Sequence, residues 1–134
     1  MQRSKIAPTN FTPTMGAYSH GYTVDVGDAR FIFVTGQIAL DENGKVVSDD
    51  IEQQTRFVYD RIGRILAEAG GSFADVVKAQ LFLTDIADFS RVSPIRNEFF
   101  SESEPVSTLV EVSSLVHPDC KIEIEVIAVA ASGG

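Results

Sequence analysis

The side chains best suited to chemistry near neutral pH are few in this chain: two histidines, His20 and His117, and one cysteine, Cys120. The histidines fall far apart, in segments of loop composition, so they do not suggest a metal site, and each reads as a solvated loop side chain. Cys120 stands just ahead of a β-rich run, without a His or Lys/Arg cluster to lower its pKa. It therefore reads as a small buried hydrophobe rather than a nucleophile. A single cysteine also excludes an intramolecular disulfide and a Cys-rich metal centre. HExxH, GxSxG, a Walker loop and GxGxxG are all missing.

Composition narrows the setting. The chain has 134 residues, 44% of them hydrophobic and 22% charged, which predicts one globular domain over 1–134. Its apolar runs are far shorter than a membrane helix of roughly 20 residues requires. The start, Met1-Gln2-Arg3-Ser4-Lys5, leads into no continuous apolar region, so a cytoplasmic location is expected. Eleven basic against 19 acidic residues give a formal charge of −8, with Lys and Arg scattered. Such a chain repels a polyphosphate backbone, so neither nucleic acid nor membrane is an expected partner.

The elements that would position a site follow from periodicity. Tyr22–Val26 and Phe31–Ile38 read as strands joined in a hairpin through Gly27 and Asp28. Residues 1–17, with Pro8, Pro13 and Gly16, read as loose. Ile51, Val58, Ile62, Ile65, Leu66 and Ala69 form one apolar stripe of a helix, with Asp49 and Glu52 as a capping pair and Gly70-Gly71 as the stop. Val76–Thr84 reads as a strand. A second helix ends near Phe100, beginning either with Ser93 as cap and Pro94 first, or near Asp88 with Pro94 in its first turn or two. Thr108–Val112 and Lys121–Val129 complete the strands; in the last, Ile122, Ile124 and Val126 face one way and Glu123 and Glu125 the other. This is an α+β pattern, one mixed sheet with two helices packed on one face. Phe33, Leu81 or Leu83 on the opposite face would call for covering by further copies of the chain, hence a closed homo-oligomer. Phe57, Phe82, Phe89, Phe99 and Phe100 read as mostly core.

Taken together, Gly16-Ala17-Tyr18-Ser19-His20-Gly21, Val34-Thr35-Gly36-Gln37-Ile38 and Lys121–Val129 resemble segments of the RidA/YjgF family of reactive-intermediate deaminases, also labelled L-PSP endoribonuclease-like. Gly16-Ala17-Tyr18-Ser19-His20-Gly21 resembles its GPYSQA segment, and Val34-Thr35-Gly36-Gln37-Ile38 its SGQI strand end. Gln54-Thr55, Asp75-Val76-Val77-Lys78, Asp85 to Phe89, Pro105, Val110-Glu111-Val112 and Lys121–Val129 follow in the family's order across nearly the whole chain. The resemblance implies a chorismate-mutase-like fold and a homotrimer, with the sheets lining a central barrel and three clefts between subunits. It also implies cofactor-independent hydrolysis of 2-imino or 2-enamino acids to 2-keto acids and ammonia. Glu123 matches the glutamate that orients water and shuttles its proton, Tyr18 the cleft tyrosine, and Thr35 stands for the cleft serine. Gly36 lets backbone lie close to a ligand. No metal is implied.

Two departures bear on activity. Where active deaminases carry P-A-R-S, this chain reads Pro105-Val106-Ser107-Thr108, and Ser93 replaces an asparagine of the second helix. The substrate carboxylate thus loses an arginine fork. Such a loss costs about 2–5 kcal/mol at a desolvated site, or roughly 30- to several-thousand-fold in binding or rate. Arg91 and Arg96 are the cations on or near the second helix that could compensate, although each reads first as a solvated helix-face side chain. The sequence favours a hydrolase of imine, enamine or carbonyl-derived metabolites with altered or reduced activity. The alternative is a non-catalytic trimer that binds small metabolites or acts as a holdase chaperone. An endoribonuclease fits neither the charge nor the lack of a catalytic histidine pair.

Overall fold

The computed structural model describes residues 1–133. Six strands form one sheet: β1 (Gln2–Ile6), β2 (Gly21–Val26), β3 (Ala29–Gln37), β4 (Val76–Leu83), β5 (Val106–Glu111) and β6 (Ile122–Ala131). Their spatial order is β1-β2-β3-β6-β4-β5. All neighbours are antiparallel except β4 and β5, which are parallel and joined through helix α2 (Phe89–Phe100), as a parallel connection requires. Helix α1 (Ile51–Glu68) connects β3 to β4.

The core lies between the sheet and the helices. Ile32, Val34, Leu81, Leu83, Ile122, Ile124 and Val126 meet Val58, Ile62, Ile65 and Leu66 of α1 and Val92 and Ile95 of α2. Tyr59 stacks on Phe99 at 4.5 Å between ring centroids and meets Phe73 and Phe100 edge-on. Leu81 and Leu83 are therefore fully buried under the helices, not on the opposite face, because Val76, Ala79, Leu81 and Leu83 share one side after an irregularity at the start of β4. Among the described residues, no helix covers the opposite face. It carries Phe33, 41% exposed, and Val110, 40% exposed, together with Phe82, which pairs with Val110 and Glu123. Phe82 and the exposed Phe89 are not core residues.

Local chemistry sets the boundaries. The Gly27-Asp28 hairpin forms as expected, with Gly27 at φ 58°. The α1 cap is Asp50, which accepts from Gln53 N, one residue beyond the expected Asp49/Glu52 pair. Gly70, at φ 81°, ends the helix, and Gly71 N donates to Leu66 O. Helix α2 begins at Phe89 after a turn in which Asp85 accepts from Ala87 N, so Pro94 is internal and Ser93 is not a cap. Strand β1 arises in a segment that looked loose, because it pairs with β2 through its backbone while only Ile6 is buried. No helix is long and apolar enough to cross a membrane among the described residues.

Candidate active site

Strands β3 and β6 fall out of step where the candidate residues lie. Val34 pairs with Val126 and Gln37 with Ile124, so three steps on β3 oppose two on β6. Such a bulge twists the strand and re-aims its side chains. It places Thr35 and Gly36 against Glu123, which projects from the helix-free side of β6. A Cβ at Gly36 would collide with the Glu123 Oε2 and come within 2.9 Å of its Cδ. Only glycine leaves the carboxylate where it is.

Tyr18, Thr35, Gly36 and Glu123 line one cavity of about 300 Å³, closed by Met15, Leu40, Val116 and the 12–20 segment. Burial raises the Glu123 carboxyl above its ordinary value, and the charge of Glu125 adds to the rise. The Thr35 hydroxyl donates to Ser19 O, leaving its oxygen to accept from a ligand. The Tyr18 hydroxyl accepts from Met15 N at 3.0 Å, so the ring stands at the rim.

Two residues that complete this wall, His20 and Gln37, were not assigned to the site from sequence. His20 is half-buried rather than solvated. Its Nε2 lies 2.6 Å from Thr12 O, which fixes the proton there, and its Nδ1 then accepts from Gln37 Nε2 at 3.2 Å. Gln37 also donates to Thr35 O. With both ring nitrogens hydrogen-bonded within the protein, His20 ties the loop to β3. Gln37 belongs to the quoted strand-end motif, but its part depends on a histidine 17 residues away. The same loop is clamped from α1. The buried Arg61 donates to Asn10 O and lies between the rings of Phe11 and Phe57, 4.5 and 4.6 Å from their centroids. Arg64 donates to Thr9 O. Cys120 is buried, and burial pushes its thiol up, in keeping with a small core residue.

The other two candidates lie elsewhere. Ser107 lines a separate concavity of about 620 Å³ with Arg96, Asn97, Ser101 and Glu104, and Ser93 accepts from Arg96 Nη2 at 2.9 Å. Ser107 pairs with Ala79, and Ala79 with Val126, both buried beneath the helices. Glu123 pairs with Phe82, and Phe82 with Val110, on the helix-free side. Ser107 and Glu123 are thus on opposite faces, about 10 Å apart across two strand spacings and about 10 Å further along β5. A single chain cannot bring them to one substrate. Among the described residues, no Lys or Arg lines the Glu123 cavity. By itself that cavity can orient water and move a proton, and it offers no charge to hold an anion.

Comparison with known proteins agrees with this fold. Residues 9–130 match the family model described as Endoribonuclease L-PSP. The chain is 36% identical over 129 residues to the 3-aminoacrylate deaminase RutC of Acinetobacter baylyi, covering 96% of this chain and 98% of that one. It is 35% identical over 127 residues to the 2-iminobutanoate/2-iminopropanoate deaminase of Bos taurus, covering 93% and 89%. The crystal structure of E. coli TdcF with bound serine superposes with a TM-score of 0.81 at 31% identity, over 96% of this chain and 100% of that one.

Proposed function

The chain belongs to the endoribonuclease L-PSP family, which includes the RidA/YjgF and RutC proteins, and we propose that it hydrolyses imine- or enamine-type metabolites in clefts completed by a second copy of itself. The observation that carries this reading is the Glu123 carboxylate, raised in pKa by burial and seated against Gly36 in an otherwise uncharged cavity. A carboxyl raised above its usual range is a stronger proton acceptor than an ordinary one. Glu123 takes a proton from water as the oxygen bonds to the C=N carbon, and passes it to the nitrogen. It then moves the hydroxyl proton of the resulting carbinolamine to that nitrogen; the C–N bond breaks, ammonia leaves and a carbonyl remains. An enamine first takes a proton on carbon from the same carboxyl. Thr35 accepts from the substrate or water, and Tyr18 closes the rim.

The opposed faces of Glu123 and Ser107 support a cleft between copies, and the exposed Phe33 and Val110 are the surface those copies would cover. A homotrimer with a central barrel is the arrangement that family membership favours. The half-cleft bearing Ser107 holds no arginine on β5, so turnover of small 2-imino acids is altered or reduced relative to the deaminases. The test generates 2-imino acids in situ with an amino-acid oxidase and follows their loss. Acceleration by the wild type, falling about 10²–10⁴-fold in Glu123→Gln, is the expected result. No acceleration over background with 2-imino acids or with a three-carbon enamine acid would overturn the proposal.

A further inference from the structure

The arginines of this chain are not equivalent. Arg30 is bound to Asp25, Arg56 to Glu98, and Arg91 to both Asp50 and Glu52. Arg61 faces Glu42 from inside the α1 clamp, and Arg64 is turned onto Thr9 O. Arg96 differs from these five, and from Arg3 on the edge strand β1, in lining a concavity together with Ser107. Like Arg64, it meets no carboxylate within ion-pair distance among the described residues. Its Nη2 donates to the Ser93 hydroxyl, its Nε and Nη2 reach Asn97 Oδ1 at 3.4 Å, and its guanidinium lies 5.6 Å from the Phe89 ring centroid. These neutral contacts hold the side chain without neutralising it, and among the described residues Nη1 donates no hydrogen bond. Arg96 lines the concavity that also contains Ser107.

We infer that Arg96 is the anion anchor of the half-cleft that contains Ser107, a positively charged fork supplied by α2 where β5 offers only a hydroxyl. The inference rests on the reaction proposed above and adds its specificity-determining residue. Ser107 contributes the small side chain that leaves room for a carboxylate, and its hydroxyl adds a neutral hydrogen bond. Ser93 holds Arg96 in place and is a positioning residue. Glu104 faces the same concavity from a left-handed backbone, φ 45°, which few residues other than glycine adopt. Its negative charge disfavours a second anionic group on the ligand. The class selected is therefore a small monoanion whose other end is neutral or positive, as in an imino acid.

Pyruvate, its methyl ester and malonate are the probes, titrated into the assembled protein by calorimetry or NMR. Wild type is expected to bind pyruvate more tightly than the neutral ester or the dianion. Arg96→Met loses about 30-fold or more in pyruvate affinity with ester binding unchanged. Arg96→Lys recovers only part, because it keeps the charge without the fork. Arg56→Met, an equal change of charge outside the concavity, leaves binding as it was. Equal pyruvate affinity in wild type and Arg96→Met, or no preference of the wild type for pyruvate over its ester, overturns the inference. An equal loss in Arg56→Met also does so, since the effect would then be net charge alone. Arg96-dependent binding without imine hydrolysis upholds the anchor and removes the proposed reaction.

Discussion

At the residue scale the account turns on the contact between Glu123 and Gly36. Folding raises the Glu123 carboxyl above its ordinary value of 4.5, so the folded state binds the proton more tightly than the unfolded chain. Stability from this group is present at low pH and declines as pH rises from the ordinary value through the raised one. Glu123→Gln removes the buried charge. It is expected to raise the Tm at pH 7 and flatten the fall of Tm above pH 4.5 while abolishing hydrolysis, as differential scanning fluorimetry over a pH series would show. The hydrolysis rate of the wild type should rise with pH through a midpoint above 4.5, because water activation needs the ionised form. Gly36→Ala tests the geometry separately. The added methyl meets the far end of a flexible side chain, so the fold survives and the carboxylate moves. A displacement of about an ångström lowers kcat by about 10²-fold, with Tm little changed. Tyr18, Thr35, Gly36 and Glu123 were legible in the sequence as a group because each sits in a recognisable segment. His20 was not, since its role depends on a carbonyl of Thr12 and on the Gln37 amide.

At the element scale, the bulge in β3 and the clamped 9–18 segment build the cavity between them. Arg61→Ala removes a guanidinium held between two aromatic rings and its bond to Asn10 O. The expected loss is about 1–3 kcal/mol of stability. Because Thr12 and Met15 ride on that segment, KM for an imine substrate rises more than kcat falls. A global unfolding titration beside steady-state kinetics distinguishes this from simple loss of folded protein. Periodicity disclosed α1 and the later strands, whose apolar residues repeat. It did not disclose β1, whose pairing is carried by the backbone of polar residues. Nor did it show that Leu81 and Leu83 lie under the helices, since the slip at the start of β4 sets the face and leaves no mark in residue type. Pro94 marked the first turns of α2 without saying how many residues preceded it; the Asp85 turn decides that.

At the scale of the whole molecule, the sheet has one face packed by helices and one without, and the two halves of the candidate cleft lie on opposite sides of it. The sequence suggested a second face carrying Phe33, Leu81 or Leu83; of these the structure leaves only Phe33 exposed there, beside Val110. The segregation of Ser107 from Glu123 could not be read from the sequence, because it depends on the register of β5 on β4 and of β4 on β6. Under the proposed function, it makes assembly a condition of catalysis rather than an accessory to it. The measurement that tests this most directly mixes two damaged forms. Glu123→Gln lacks the proton shuttle, and Ser107→Glu places a repelling carboxylate in the other half-cleft; each assembly alone should be inactive toward 2-imino acids. Refolding the two together in equal amounts should restore activity to about one quarter of clefts, those with an intact half from each partner. If the mixed assemblies form and remain as inactive as their parents, the cleft is not shared between copies, and the central claim is wrong.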